Sequence, residues 1–565
     1  MKKLLIYSVA LLSSVGVLTS CVGDLETQPL DKNQITADRA FADPNSYDQY
    51  VSYAYGYFSL VSPDNPGGAD IAVDDAGQSE FTRMYTILNE LSTDALFCTW
   101  GDDYVAGIQF HKWNPTNTAV KSVYTRGIKA VALCNQFLDP TVSSDSAVEA
   151  RGHADRLADV RAYRAEMRLL RAIYYEILMD LFGNPPVALP EHLGAAYYPE
   201  QMDRDAAIGR AKLFEWIEKE LLEVIEDENL PAVRVEYPRL SKGAAYAVLA
   251  RMYLNAEVYT GTARWEDAKK YADKCIDEGG YKLNDSYVDL FRQDNTTNGA
   301  QDEFIIAATY DTDSTQSWGG TTHYVYATVN DAIRMPISKL MGFTTDIYRS
   351  QWNGYTCSSE FVKENFDLQG IDRTQGWGYS REASDKRAFF YGAGFPDEVN
   401  PYSPDMTTGW ACVKWLPLTS DNVDILVQKG IDVSSADFPI FRLAEMYLIS
   451  AEAEARMKGG SLSSSDDGYA LIKTLRKRAN GEEDTMPLSL DLEWILKERT
   501  RELYWEGHRR VDLIRYNKFT TASYAWPYKA GIKDGNAAID DYRKIYPILS
   551  SDKEVNPNLV QNPGY

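Results

Sequence analysis

Three tryptophans stand in surroundings that give them little to gain from burial. Trp100 precedes Gly101-Asp102-Asp103, Trp318 precedes Gly319-Gly320, and Trp352 lies within Gln351-Trp352-Asn353-Gly354-Tyr355. An indole in a polar loop presents a flat apolar face with one N–H donor at its rim, a shape suited to stacking on a flat ligand. Trp113, beside Pro115, reads instead as a packing residue. Tyr324, Tyr326, Tyr355, Trp377, Tyr379 and Trp410 form a second rank of aromatic candidates. The chain holds 38 Tyr against 19 Phe, and Tyr suits half-wet positions, between helices or on a ligand face.

Other chemistry is poorly supported. Glycoside hydrolysis needs two carboxylates facing each other across a bond, one with a raised pKa. With 82 acidic residues some pair is inevitable, and the pair near Trp100, Asp102-Asp103, is adjacent on one loop rather than opposed. No GxSxG elbow, HExxH, P-loop or dinucleotide fingerprint occurs. His111, His153, His192, His323 and His508 are scattered without ligand spacing, and His323 reads as a solvated loop histidine. Asp311-x-Asp313 offers oxygen ligands to calcium, but a lone DxD is a weak signal. No cofactor and no metal are expected.

With 58 Lys and Arg against 82 Asp and Glu the chain carries a formal charge of −24, which repels phosphate backbones and argues against nucleic acid as a partner. Residues 1–20 read as a signal peptide: Lys2 and Lys3, then a short apolar run from Leu4 to Leu18. Leu18-Thr19-Ser20-Cys21 resembles a lipobox, so Cys21 is the expected site of lipidation. Five further cysteines, Cys98, Cys134, Cys275, Cys357 and Cys412, are widely spaced without a CxxC, and read as mostly buried thiols.

The elements that must position the tryptophans are mostly helical. Residues 21–45 read as a tether. Val160, Tyr163, Met167, Leu170, Tyr174, Ile177 and Leu181 recur at helical spacing and stop at Gly183. Further helices are expected over 213–225, 242–259, 265–276, 441–458, 468–478 and 490–516. The pair 242–259 and 265–276 looks like a tetratricopeptide unit, although no strict repeat recurs. Residues 294–439 are rich in Gly, Asp, Trp and Tyr and read as a long loop-rich excursion.

Arg164-x-Glu166 through Leu170-Arg171-Ala172 to Leu181-Phe182-Gly183-Asn184-x-Pro186 is similar to the first signature helix of the SusD/RagB family of outer-membrane lipoproteins. Phe441-Arg442-Leu443-Ala444-Glu445-Met446-Tyr447-Leu448, Leu475-Arg476-x-Arg478-Ala479-Asn480 and Glu498-Arg499-x2-Glu502 through Arg509-Arg510-x-Asp512 resemble the later ones. The chain ends Gln561-Asn562-Pro563-Gly564-Tyr565, as family members do. Read by themselves, these Arg and Glu residues are scaffold charges.

The resemblance implies a mainly α, SusD-like fold: tetratricopeptide-like helix pairs, about eight helices, forming a scaffold on which the loop-rich region packs. Residues 46–235 would form the N-terminal helical part and 236–565 the C-terminal part. Around Arg83-x5-Asn89-Glu90 and the three tryptophans the match is to the starch-binding branch, which implies Arg83, Trp100, Asp103, Trp318 and Trp352 as glycan-binding residues. Cys98 replaces an aromatic of that arc, Asp103 an amide and Trp318 a tyrosine, so a different neutral glycan is an alternative to an α-glucan. The implied partners are an oligosaccharide, a SusC-like TonB-dependent transporter, and the outer membrane reached through the lipid on Cys21, facing out. A secreted hydrolase and a helical scaffold without its own glycan site are the competing readings.

Overall fold

In the computed structural model, residues 36–62, 67–192, 197–366, 384–392, 394–403, 406–424, 432–482 and 484–565 are described. The expected signal peptide, Cys21, Trp377 and Tyr379 lie outside them. Eight long helices make the scaffold: α1 (Thr118–Leu138), α2 (Leu157–Phe182), α3 (Ala206–Glu226), α4 (Lys242–Leu254), α5 (Trp265–Glu278), α6 (Leu443–Met457), α7 (Asp467–Asn480) and α8 (Leu492–Leu503). Each packs on the next in series from α1 to α7, and α8 returns to α6. Their starts follow from local chemistry: Asn117 accepts from the amides of Ala119 and Val120 at 3.0 and 3.4 Å, and Asp205 caps α3. Along α2 the periodic residues Val160, Met167, Leu170, Tyr174, Ile177 and Leu181 are buried, and Gly183 ends the helix at φ 71°. No described helix is long and apolar enough to cross a membrane.

The excursion between α5 and α6 leaves and rejoins the scaffold at one antiparallel ribbon, where Phe304–Ala308 pairs with Phe438–Arg442. Within it are only short elements, including helices Thr322–Ala327, Arg334–Leu340 and Ser359–Phe366. Upstream, a short helix, Ala37–Ala40, occupies part of the stretch expected to be tether, followed by the buried Phe41.

The helix expected over 490–516 is broken. It stops at Leu503 and resumes as Arg509–Arg515, with Trp505 at φ 60° and Gly507 at φ 84° between. The break lets the amides of Gly507 and His508 donate to the buried carboxylate of Glu90 at 2.7 and 3.1 Å, and a Cβ on Gly507 would lie 2.3 Å from the Tyr85 ring.

The signature charges are internal. Arg442 donates to Glu502 at 2.6 Å and to Glu506 at 2.6 Å, and Arg387 reaches Glu502 at 2.9 Å. Arg509 pairs with Asp94 at 2.7 Å, Arg510 with Asp180, and Asp512 with Arg499 at 2.9 Å. Burial of paired, hydrogen-bonded charges fixes which helices can meet, because removing one partner strands the other away from water.

Candidate functional site

The two distant parts of the chain meet through backbone pairing. Phe97 and Cys98 pair with Thr356 and Tyr355 in a short antiparallel ladder, and the Thr99 amide extends it to the Gly354 carbonyl at 3.0 Å. This sets Trp100 beside Trp352, whose carbonyl accepts from the Trp100 indole N–H at 3.0 Å. Gly354 permits the approach, since a Cβ there would lie 2.4 Å from the Trp100 ring. The Trp352 segment is held from behind by the hydrogen bond that its backbone N–H donates to the Tyr326 carbonyl at 2.8 Å.

The third tryptophan arrives by a separate route. Gly319 packs its backbone against Glu80, where a Cβ would come within 2.2 Å of the glutamate side chain. Glu80 itself caps helix Phe81–Thr86, accepting from the Arg83 amide at 3.0 Å. Burial raises the Glu80 pKa, against the hydrogen bonds it accepts from Tyr310 and from backbone amides. Trp318 and Trp352 then stand with ring centroids 6.5 Å apart at 62°. Arg83, only 6% exposed, lies 5.1 Å over the Trp100 ring and donates to Asp75 at 2.7 Å. Burial alone would ease its proton off, but Tyr104, Tyr355 and Asp75 more than offset this, so it stays a cation.

These residues enclose an open cleft of about 540 Å³, lined by Asp75, Gln78, Arg83, Trp100, Asp102, Trp318, Ser350 and Trp352. All three indoles are half-buried, each leaving part of its surface open. Of the five glycan-binding residues expected from sequence, Arg83, Trp100, Trp318 and Trp352 come together. Asp103 does not line the cleft. It is the exposed first residue of helix Asp103–Gln109, and the neighbouring Asp102, just before that helix, faces the cleft instead.

Other expectations are corrected. His323 is not a solvated loop residue. The Gly319-Gly320 turn leads into helix Thr322–Ala327 and buries it, and its Nδ1 meets the Gly319 carbonyl oxygen at 3.2 Å. Burial, with Arg83 adding to it, lowers its pKa to about 3, so it is neutral. Tyr324, Tyr326, Tyr355 and Trp410 are fully buried and offer no ligand face. Trp113 packs in the core, and Cys98, Cys134, Cys275, Cys357 and Cys412 are buried free thiols, as the sequence indicates. Asp311 spends its Oδ1 on the amides of Asp313 and Thr315, at 2.7 and 3.1 Å, an arrangement that closes its own loop.

Gln78 is the residue sequence reasoning missed. It lines the cleft, is 4% exposed, and its side-chain oxygen has no hydrogen-bond partner among the described residues. The Nε of Arg83 is likewise unpartnered. A buried polar atom without a partner costs free energy unless a ligand or water completes it. The available signal was its place three residues after Asp75, in the turn that holds Arg83.

The comparisons fit this architecture. A family described as "SusD family" matches residues 375–565, and one described as "Starch-binding associating with outer membrane" matches residues 71–254. The starch-binding protein SusD of Bacteroides thetaiotaomicron is 31% identical over 599 aligned positions, covering 99% of this chain and 97% of that one. A SusD superfamily protein from Parabacteroides distasonis superposes with a TM-score of 0.63 at 19% identity, over 94% of this chain and 100% of its own. Surface glycan-binding protein A from Bacteroides thetaiotaomicron, solved in complex with laminarihexaose, gives 0.61 at 22% identity, over 91% and 98%. The last two speak for the fold alone. A helical scaffold carrying an aromatic cleft on a looped excursion is therefore the class of protein, and the chain belongs to the SusD family.

Proposed function

We propose that this protein captures an oligosaccharide at the cell surface without cleaving it, with an α-glucan as the favoured ligand. It would hand the ligand to a SusC-like TonB-dependent transporter, being itself held at the outer membrane by lipid on Cys21. The observation that carries this reading is the convergence of Trp100, Trp318 and Trp352 around Arg83 in one open cleft. Pyranose rings show an apolar C–H face that stacks on indole, while their hydroxyls require donors and acceptors at the rim. Arg83 supplies N–H donors, Asp75 and Asp102 supply acceptors, and the Gln78 amide supplies a carbonyl oxygen. The full-length likeness to a starch-binding protein supports the α-glucan, and Cys98, buried behind the cleft, leaves one aromatic fewer than that branch uses.

A non-catalytic role is supported by where the perturbed carboxyls lie. Burial raises Glu90 and Glu176 to about 8 and Asp437 to about 7, and none of the three lines the cleft. The test is a glycan-panel binding screen on the chain from residue 22 onward. Micromolar to millimolar binding of α-glucan oligosaccharides is expected, with no release of reducing sugar. Release of reducing sugar by pure protein, abolished by changing a cleft carboxylate, would move the assignment to a hydrolase.

A further inference from the structure

A second aromatic cleft lies at the far end of the helix that begins at the first. Helix Asp103–Gln109 is entered from Asp102 in the tryptophan cleft and is capped at its other end by Phe110. The steps from Asp102 through the seven-residue helix to Phe110 place these two ends about 12 Å apart along the axis. The Phe110 ring lies 5.9 Å from Tyr402 and 6.0 Å from Tyr528, and these two lie 6.4 Å apart. Tyr402 is 71% exposed, while its neighbours Pro401 and Ser403 are buried. Beside this cluster opens a cleft of about 770 Å³, lined by Ala525, Trp526, Pro527 and Tyr528, by Ile532 and Val399, and by Glu360, Glu398, Lys533 and Asp534.

The Tyr528 turn is held rigidly. Tyr528 and Ala530 both take left-handed backbone, φ 62° and 54°, a conformation that non-glycine residues keep only where surrounding contacts impose it. The contacts are present. The buried Lys529 ammonium donates to the Tyr524 carbonyl at 2.6 Å and lies 4.4 Å from the Trp526 ring, and the Ala530 amide donates to His111 Nδ1 at 3.2 Å.

We propose that this cleft is a second carbohydrate subsite, taking a further stretch of the same neutral polysaccharide that occupies the tryptophan cleft. The inference rests on the glycan-binding reading above. An exposed tyrosine braced against Phe110 and Tyr528 has the flat apolar face that a pyranose covers. The rim is rich in acceptors for hydroxyls. Among the described lining residues Lys533 is the one cation and is paired with Glu398, which leaves Glu360 and Asp534 to disfavour acidic sugars, with Lys112 nearby at the Phe110 side. A ligand long enough to span both clefts gains through effective concentration rather than through a tighter single site.

Affinity electrophoresis in gels containing the polysaccharide selected by the panel tests this directly. Tyr402→Ala is expected to reduce retention threefold to tenfold, with an unchanged circular dichroism spectrum and an unchanged titration of a short oligosaccharide at the tryptophan cleft. Tyr402→Trp should restore retention, because it keeps a stacking face. Retention of Tyr402→Ala equal to wild type would overturn the second subsite while leaving the first intact. Wild type retained by no glycan at all would instead sink the glycan-binding reading on which it rests. Normal glycan retention by Tyr402→Ala with weakened co-purification of an outer-membrane protein would reassign the surface to a protein contact and overturn the proposal.

Discussion

Gln78 lines the cleft, and its side-chain oxygen is buried and finds no partner among the described residues, nor does the buried Nε of Arg83. If a sugar hydroxyl completes that oxygen, Gln78→Ala should weaken oligosaccharide binding roughly twofold to tenfold, the range of one net hydrogen bond of about 0.5–1.5 kcal/mol. Calorimetric titration checks it, and the melting temperature should hold or rise, since an unsatisfied buried group is removed. An unchanged affinity would mean the amide does not touch the ligand. The three tryptophans were legible because a few neighbouring residues of polar and glycine type argue against burial. Gln78 was not, because the sequence shows its place in the turn between Asp75 and Arg83 but not that its side chain is buried at the cleft. Asp102 and Asp103 differ only by which one precedes the helix start, a one-residue distinction below the precision of a sequence-based boundary. The burial of His323, expected as a solvated loop residue, and of Tyr324, a candidate ligand face, is not legible because a six-residue helix gives almost no periodic signal.

Among the elements, the short ladder from Phe97 to Thr356 decides whether the site exists. Gly354→Ala places a methyl within 2.4 Å of the Trp100 ring. It should displace that indole, lowering glycan affinity tenfold or more and the melting temperature by about 1–3 degrees, since overpacking costs about 1–3 kcal/mol and a chain of this length unfolds with a large entropy. Wild-type affinity in this variant would show that the ladder does not govern Trp100. Long helices were legible from their period, and α2 ends at the glycine that sequence marks. The break near Trp505 was legible only as the glycine at 507, since the period on either side continues and the Glu90 carboxyl that accepts from the freed amides is far away in sequence.

Buried carboxylates in and around these elements make stability depend on acid. Burial alone would raise Asp385 and Glu452, but Arg387 beside the first, and Arg515 and Arg456 beside the second, pull both down to about 2. Their folded pKa values lie below the unfolded range near 4, so their stabilisation is present above about pH 4 and is lost as pH falls toward 2. The raised carboxyls Glu90, Glu176 and Asp437 act in the opposite sense between about pH 8 and 4, and below that range are protonated in both states. Denaturant unfolding should therefore show a steep loss of stability between about pH 4 and 2. A flat profile there would contradict the paired-charge account of the scaffold.

At the scale of the whole molecule, the scaffold holds one excursion by a ribbon and by buried ion pairs such as Arg387 with Glu502, and brings residues near 100 and 350 to one cleft. The ordered motifs made the family legible, because buried Arg and Glu pairs tie each helix to specific neighbours and so constrain sequence at many positions together. The meeting of the two loops was legible only as a requirement, since strands of two residues carry no pattern of their own. Anchoring belongs to this scale too. Cys21→Ala should release the protein from the outer membrane or strand its precursor, as fractionation and surface labelling would show. Unchanged retention and surface exposure would refute attachment through that residue.

The central claim is that Trp100, Trp318 and Trp352 act as one binding surface. Titration of a short α-glucan oligosaccharide into wild type and into each Trp→Ala variant, and the triple variant, tests it most directly. Each single change should weaken binding by about tenfold or more, ~1.4 kcal/mol, and the triple change should abolish it while the helical spectrum stays intact. Wild-type affinity in the triple variant would contradict the account.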